Sequence, residues 1–433
     1  MKKQTAAVLA ASMILAVSGC SANESGEAPS QSGFVPSMDV SAEAVIDVNG
    51  SWSNFQALEA AAANWNKIYP NVEINYVKVD AYNSVLAKQV SGENRPDIVM
   101  FDLAGYYDDK DVIIDSLADL NAAGMELSAV NSSAVAAETD DSGKLCDLPW
   151  GVLASGFAAN VTLLDSLGLE IPQTHEEFMQ VCSALVEKGY TPIQGCTETF
   201  YEFLMNNDMK YLVMNSEDPQ AFHDSLESAQ AGCGGMFTEE FRTMLEMTEK
   251  GFVDGDINNS ITDYYEENIL HFFEGETPFL CFNTEGFSGM KKRESKSEHF
   301  TAESFEYEFV PLPVCTDEPV LSMGFLPGLA VVSGSADQAW AEEFLRFVCS
   351  SEIDEMASVK GVPSTSASGS EDARYEYIRS IPDSRRIVPR EDTISALSDE
   401  SFAFTLQNIA EGKIKTADGA CNFYENHLKG MTN

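Results

Sequence analysis

The sequence is short of positive charge. Its 433 residues include 26 lysines and arginines against 69 aspartates and glutamates, which gives a formal net charge of −43. Proteins that bind nucleic acid or anionic membrane surfaces need a basic face. The densest basic run, residues 291–293, is short and is followed directly by Glu294. Both kinds of partner are therefore disfavoured. Solubility at a crowded cell surface explains the acidity, and a cationic ligand is the alternative.

Motifs for catalysis and metal binding are also missing. The chain has no G-x-S-x-G, no P-loop and no H-E-x-x-H, and its five histidines stand alone. No two cysteines have the C-x-x-C spacing of zinc and iron–sulfur sites. We therefore expect no metal, no cofactor and no catalytic step. Among 69 carboxylates, some pair must lie at the distance of a glycosidase active site by chance, so no pair chosen from the sequence is evidence for catalysis. A surface glycoside hydrolase therefore remains only the less favoured alternative.

Eight cysteines follow Cys20, and they are scattered. An exported protein can pair an even number of cysteines. Several of these, including Cys182, Cys281 and Cys349, sit in apolar runs, where a free cysteine behaves as a small hydrophobic residue. We expect mostly free, buried thiols, and the sequence leaves pairing open.

No hydrophobic run reaches the length of about 20 residues that spans a bilayer. The N-terminus has Lys2 and Lys3 before an apolar run over residues 6–17, which is typical of an export signal over residues 1–19. The run ends in Val-Ser-Gly-Cys, which resembles a bacterial lipobox with Cys20 as the lipidated first residue of the mature protein. Residues 20–39, rich in Gly, Ser and Pro, are expected to form a flexible tether on the outer face of the cell membrane.

The folded part begins with alternating strand and helix patterns. Residues 44–52 and 72–79 have strand composition, and 98–101 is a continuous apolar run typical of a strand covered on both faces. Helical spacing lies between them, with Ser53 and Gln56 predicting a capping box at the first helix. This alternation predicts an α/β doubly wound sheet, with ligands beyond the carboxyl ends of the strands.

The central part has its motifs in a characteristic order: Gly143-Lys144 and Pro149-Trp150, then Ala159-Asn160, Gly168-Leu169 and a helix starting at Thr174 and ending before Gly189. This order resembles the sugar-binding group of extracellular solute-binding proteins of bacterial ABC importers. The segments RPDIVMFD, FFEGETPFLCFNTEGF and YEFVPLP follow the family's order, so the likeness covers most of residues 44–366. Ala159 and His175 stand where the family has Tyr and Trp.

The resemblance implies an α/β fold of two lobes, the periplasmic-binding-protein-like fold (type II), with a hinge of crossing strands. Lobe one would hold residues 40–147 and 325–366, and lobe two 148–324 and 367–433. The ligand would be a carbohydrate, more specifically an oligosaccharide, and it would be trapped between the lobes as they close. The protein, a monomer, would then deliver it to the permease subunits of an ABC importer.

Sugar capture needs aromatic faces and directional polar groups. The candidates that the resemblance brings to the cleft are Trp52, Asp102, Tyr106, Trp150, Tyr201, Asn283, Glu285, Phe287 and Phe325. Trp150 is the strongest, with packing between the lobes as its alternative role. Glu285 is alternatively a solvated carboxylate, and Asp102 alternatively caps a helix.

Two further functions compete with sugar binding. A binding protein for a cationic solute such as a polyamine would line its cleft with several carboxylates, whereas a sugar site would combine aromatic rings, asparagine and fewer carboxylates. An adhesion or scaffold lipoprotein would have no cleft.

Overall fold

Two β-sheets organise the chain in the computed structural model, which describes residues 34–194, 200–201, 203–253, 266–369, 372–389 and 396–432. The first sheet has the strand order β2-β1-β3-β9, and the second has the order β10-β8-β4-β6-β5, with β7 also paired to β4. The strands are β1 (Ala44–Gly50), β2 (Val72–Lys78), β3 (Ile98–Phe101), β4 (Val152–Asn160), β5 (Ile193–Gln194), β6 (Phe279–Asn283), β7 (Tyr307–Val310), β8 (Leu321–Phe325), β9 (Gly328–Val331) and β10 (Arg386–Ile387).

Helices surround both sheets, and the α-helices are α1 (Gln56–Trp65), α2 (Tyr82–Ser91), α3 (Lys110–Ser116), α4 (Ser132–Ala137), α5 (Val161–Leu167), α6 (His175–Glu187), α7 (Lys210–Met214), α8 (Pro219–Glu227), α9 (Thr238–Lys250), α10 (Glu266–Phe272), α11 (Thr284–Arg293), α12 (Glu298–Ala302), α13 (Gln338–Phe347), α14 (Ile353–Lys360), α15 (Glu376–Ser380), α16 (Ala396–Ala410) and α17 (Ala417–Thr432). We call the part around the first sheet the first lobe and the part around the second sheet the second lobe. This two-lobed α/β architecture confirms the predicted fold class.

The first sheet is parallel except at one edge. β1 pairs in parallel with β2 and with β3, whereas β9 returns antiparallel to β3. All four residues of β3 are buried, as the continuous apolar run predicts for a strand covered on both faces.

The predicted capping box at α1 is wrong. The helix begins at Gln56 after Phe55, and no side chain caps it. Phe55 is buried against Trp150, with their ring centroids 5.9 Å apart. Burying a large aromatic ring is worth more than one capping hydrogen bond, so packing sets the start of this helix.

The predicted helix after Thr174 is confirmed. The Thr174 hydroxyl accepts a hydrogen bond from the Glu177 N–H at 3.2 Å, and Phe178, Cys182 and Leu185 form its buried face. Gly189 follows in the left-handed region (φ +91°), where glycine is strain-free.

Two chain segments run side by side between the sheets. Leu148 pairs with Leu329, and the Leu326 N–H donates to the Gly151 carbonyl at 2.9 Å. A side chain at Gly328 would meet an Asp147 carboxylate oxygen at 2.0 Å, so only glycine fits here. This close pair of segments connects the lobes and is the geometry that a hinge needs.

The second lobe has its own aromatic core, completed by the last two helices. Phe402 of α16 and Tyr424 of α17 lie with ring centroids 5.4 Å and 5.3 Å from Phe237. All three rings are buried. The C-terminal helices therefore belong to the hydrophobic core of the second lobe.

The first described residues are fastened to the first lobe. Glu343 of α13 accepts hydrogen bonds from the Ser37 N–H and hydroxyl, each at 2.7 Å, and from the Tyr69 hydroxyl at 2.5 Å. Phe34 packs edge-on against Phe347 with ring centroids 5.4 Å apart. We call residues 34–38 the N-terminal strap.

Of the seven described cysteines, Cys146, Cys182, Cys233, Cys315, Cys349 and Cys421 are free thiols, and five of the seven are buried. Burial is what an apolar setting predicts for cysteines that act as small hydrophobic residues. Cys196 and Cys20 lie outside the described residues, as do the predicted signal segment (1–19) and residues 20–33 of the predicted tether. Within the described residues, no helix has the length and apolar character needed to cross a membrane.

Candidate functional site

A cavity of about 840 Å³ lies between the two lobes. The first lobe contributes the loop after β3, α3, α4 and the turn that follows it, and the second lobe contributes α8 and β8. The lining residues are Leu103, Ala104, Lys110, Asp111, Ile114, Ser133, Ala136, Ala137, Glu138, Asp140, Asp141, His223, Glu227, Met323, Gly324, Phe325, Val388 and Pro389. Its volume is within the range of about 300–1,000 Å³ typical of small-molecule sites.

The wall of this cavity joins apolar surface to carboxylates. Ile114 and Phe325 supply aliphatic and aromatic contact area. The five acidic residues of the lining are Asp111, Glu138, Asp140, Asp141 and Glu227. A ring with nearby carboxylates can stack on a flat ligand and accept its hydroxyl or ammonium protons.

Among the acidic residues that line the cavity, Glu138 is the most withdrawn from water, at 2 % exposed. Its Oε2 accepts a hydrogen bond from the Leu103 N–H at 2.7 Å. Burial raises the pKa of Glu138 to about 7, and the nearby Asp102 charge acts in the same direction. At neutral pH the cavity wall therefore holds a carboxyl group that takes up or releases a proton easily.

Asp147 lies behind Glu138 and is completely buried. Its oxygens accept no well-formed hydrogen bond from the described residues, although the Glu138 carboxyl is close enough to share a proton with it. Burial, followed by repulsion from Glu138, raises the pKa of Asp147 well above its usual range. Two adjacent buried carboxyls cannot both ionise cheaply, so the pair retains a proton.

Phe325 is the predicted ligand residue that lines this cavity. Asp102 immediately precedes the lining residue Leu103, and its Oδ2 accepts a hydrogen bond from the Tyr107 hydroxyl at 3.2 Å. Tyr106, in the same loop, is 75 % exposed. The structure thus brings Phe325 and Asp102 to the cavity region, while the Tyr106 ring points to solvent.

Trp150 and Trp52 lie in an aromatic cluster instead. Trp150 is fully buried, and its indole N–H donates to the Pro327 carbonyl at 3.1 Å. Trp52 meets it edge-on with centroids 6.0 Å apart, and the Lys360 ammonium lies 4.1 Å from the Trp52 ring centroid. Trp150 is thus enclosed by the protein, whereas Trp52 stays partly exposed with Lys360 over its ring.

Asn283, Glu285 and Phe287 lie at the start of α11. Asn283 caps the helix by accepting a hydrogen bond from the Gly286 N–H at 2.8 Å. Glu285 forms an ion pair with Lys360 at 2.7 Å, and Phe287 is fully buried. Here all three have structural partners, and none lines the cavity.

Tyr201 belongs to the core of the second lobe, where it is 7 % exposed. Burial raises the pKa of its hydroxyl. It does not line the cavity between the lobes.

Sequence reasoning missed Glu138 and the residues of α4. Glu138 stands in the run Glu138-Thr139-Asp140-Asp141, where every residue reads as solvated loop. The one local signal for Glu138 is that it directly follows the apolar helix α4. This predicts that Glu138, the first polar residue after that helix, lies close to the core.

A sequence model of the family described as bacterial extracellular solute-binding protein matches residues 49–355. Comparison with curated protein sequences gives no match.

Solved structures of similar fold cover nearly the whole chain. RafE from Streptococcus pneumoniae in its apo form has a TM-score of 0.72 at 16% identity, over 91% of this chain and 99% of that one. A Bacillus licheniformis sugar transporter protein in complex with stachyose has a TM-score of 0.59 at 17% identity, over 88% and 98%. The GacH receptor of Streptomyces glaucescens, solved unliganded and with acarbose, has a TM-score of 0.61 at 16% identity, over 90% and 99%. At these identities the likeness establishes the fold.

Proposed function

The chain belongs to the bacterial extracellular solute-binding proteins, and on this basis we propose that it captures a carbohydrate, an oligosaccharide, between its lobes. The observation that carries the proposal is the cavity of about 840 Å³, which combines the Phe325 ring with polar groups from both lobes. An aromatic ring stacks on the C–H face of a sugar, and carboxylates accept its hydroxyl protons. Proteins of the same fold hold stachyose and acarbose, which supports this ligand class.

Capture would follow from closure of the lobes about the paired segments at 145–151 and 326–328. We assign residues 40–147 and 325–366 to lobe one, and residues 148–324 and 367–433 to lobe two, with Phe325, the last residue of β8, at the boundary between them. Closure of two packed lobes about a short hinge encloses a ligand without chemical change. The proposal therefore includes no catalytic step and no cofactor.

Within this proposal, Phe325 and Asp102 are the ligand contacts favoured by their position, and Glu138 joins them. Trp52, Tyr106, Trp150, Tyr201, Asn283, Glu285 and Phe287 stay predictions. The strong internal partners of Trp150 and Glu285 argue for a structural role in the described arrangement.

The cellular setting is also part of the proposal. We infer a lipid anchor at Cys20 that holds the protein, as a monomer, on the outer face of the cell membrane. From there it would deliver its ligand to the permease subunits of an ABC importer. The lipobox-like sequence and the family support this setting.

A cationic solute such as a polyamine is the second candidate ligand. The observation in its favour is the five acidic residues of the cavity lining, set against Lys110 as the one lysine or arginine among the lining residues. An ammonium group would form charge-assisted hydrogen bonds with these carboxylates.

A thermal-shift screen decides between the two ligands. The purified chain is heated with a panel of neutral oligosaccharides and with putrescine and spermidine. A ligand at 100 times its dissociation constant stabilises the folded state by about 2.7 kcal/mol. A response to saccharides alone supports the proposal, and a response to polyamines alone replaces it with the second candidate.

Phe325→Ala tests the assigned cavity, with Phe404→Ala as the matched control. Phe404 is 41% exposed on α16 and does not line the cavity. We expect Phe325→Ala to abolish the response to the best ligand and Phe404→Ala to preserve it. An unchanged response in Phe325→Ala would place the ligand elsewhere, and conversion of the saccharide by the chain would contradict a binding function.

A further inference from the structure

A second cavity adjoins the cavity between the lobes. This second cavity has a volume of about 750 Å³ and lies between the start of α4 and the region of β10. Ser133, Met323 and Val388 line both cavities, so the two chambers meet at these residues. The volume of each chamber alone is within the range for a whole small ligand. A ligand that occupied only one chamber would leave the other filled with water.

The two chambers differ in chemistry. The second is lined by hydroxyl and amide groups, among them Ser128, Asn131 and Ser133, together with Asp383 and Arg386. Its described lining residues include no aromatic ring, whereas Phe325 lines the first chamber. Stacking is therefore available in the first chamber, whereas the second offers directional hydrogen bonds beside aliphatic side chains such as Leu127 and Val130.

Arg386 is held firmly in the wall of the second chamber. One of its terminal nitrogens donates to the Ile378 and Arg379 carbonyls at 3.2 Å and 3.0 Å, and the other lies 3.5 Å from an Asp383 oxygen. The backbone of Arg386 is also held in place, because Arg386 in β10 pairs with Leu321 in β8. A guanidinium fixed in this way loses little side-chain entropy when it donates to a ligand.

The side chain of Asn131, on another wall of the second chamber, is also held in place. Its side-chain oxygen accepts hydrogen bonds from the Ser133 N–H at 2.9 Å and from the Ser133 hydroxyl at 2.8 Å. This orients the carboxamide, and its NH₂ group is left to donate to other acceptors. Asn131 and Arg386 thus offer preorganised donors on two walls of one chamber.

We propose that the ligand is an extended neutral oligosaccharide that fills both chambers at once. One part stacks on Phe325 in the first chamber, and the sugar unit at the other end places its hydroxyls against Asn131 and Arg386 in the second. The second chamber therefore sets a preference for chain length. This inference rests on the proposed carbohydrate function and specifies its ligand.

The test is isothermal titration calorimetry with two saccharide series of increasing length. One is sucrose, raffinose and stachyose, and the other is maltose, maltotriose and maltotetraose. In the series that binds, we expect the tetrasaccharide to bind the wild type at least about tenfold more tightly than the disaccharide, since about 1.4 kcal/mol corresponds to a tenfold change.

Two variants remove the donors of the second chamber. Asn131→Ser keeps an oxygen that can accept from Ser133 and removes the NH₂ group, and Arg386→Gln removes the guanidinium. Both should lose the gain with length and keep the disaccharide affinity. Arg385→Gln is the control, because Arg385 pairs with Glu318 at 2.8 Å and does not line the chamber. If Arg386→Gln fails to fold, Asn131→Ser decides the question alone.

The outcomes separate this inference from the function on which it rests. Equal affinity for disaccharide and tetrasaccharide overturns the two-chamber ligand and leaves carbohydrate capture standing. Equal weakening of both lengths by Asn131→Ser also overturns it, because the chamber would then not discriminate length. Absence of binding by every member of both series overturns the carbohydrate function itself.

Discussion

Replacing Glu138 by glutamine tests the buried carboxyl pair in the wall of the first chamber. Glu138 is 2 % exposed, and its Oε2 accepts the Leu103 N–H. Glutamine has nearly the same shape and retains an acceptor oxygen for that bond. The substitution therefore removes an ionisable group from a desolvated position while keeping its packing.

The sign of the pH dependence follows from the raised pKa. Burial raises the pKa of Glu138 from 4.5 to about 7, so the folded protein keeps this proton at pH values where the unfolded chain releases it. The associated stability is fully present below about pH 4.5 and is lost as the pH rises through about 7. At 1.36 kcal/mol per pKa unit, the loss amounts to about 3 kcal/mol above pH 7.

The assay is urea denaturation of the wild type and Glu138→Gln between pH 4.5 and 8. The difference in the free energy of unfolding between the two proteins should grow by about 3 kcal/mol in favour of the variant over this range. Asp147 keeps a raised pKa in the variant, so some pH dependence of the variant itself is expected. Glu59→Gln, at an exposed position of α1, serves as the control. Parallel profiles for wild type and Glu138→Gln would refute the reasoning.

Three further predictions concern stability. Trp150→Ala should lower the free energy of unfolding by about 3–5 kcal/mol in urea titration, because a fully buried ring and its hydrogen bond are lost; a loss below about 1 kcal/mol would contradict the buried position. Gly328→Ala should sharply reduce the yield of folded protein on gel filtration, because the new methyl group would meet Asp147, whereas Gly235→Ala has open space and should behave as wild type. Thr174→Ala should cost about 1 kcal/mol in thermal unfolding and Thr174→Ser much less, since the hydroxyl caps α6; equal losses would count against the cap.

The strands of the first sheet were accessible to sequence reasoning because their signals are local. The apolar run over 98–101 needs cover on both faces, and the structure buries all four of its residues. The helix that starts after Thr174 was equally accessible, since a capping residue, a periodic apolar face and Gly189 define it within 16 residues. Elements of this kind depend on few distant contacts.

The role of an aromatic side chain was harder to predict. A tryptophan after a strand end is equally suited to stack on a ligand or to fill a core, and the sequence around Trp52 and Trp150 is the same in either case. The structure places them against each other and against Phe55, which also displaces the predicted cap at Ser53. Tertiary packing decided both outcomes.

The chamber walls illustrate what one sequence without relatives conceals. Asn131, Glu138, Phe325 and Arg386 come from three separate regions of the chain. Each has an ordinary local setting: a helix cap, a charged turn, a strand end and a short edge strand. Only the fold brings them to one groove, so no local pattern could identify them together.

The N-terminal strap has a mechanical consequence. Ser37 and Phe34 are joined to α13, which belongs to the first lobe, so a pull on the chain at residue 34 is carried into that lobe through Glu343 and Phe347. The paired segments between the sheets bear none of this load. A tether attached at residue 34 would hold the first lobe in place while the second lobe moves. Tension in the tether would therefore neither favour nor oppose closure on the ligand.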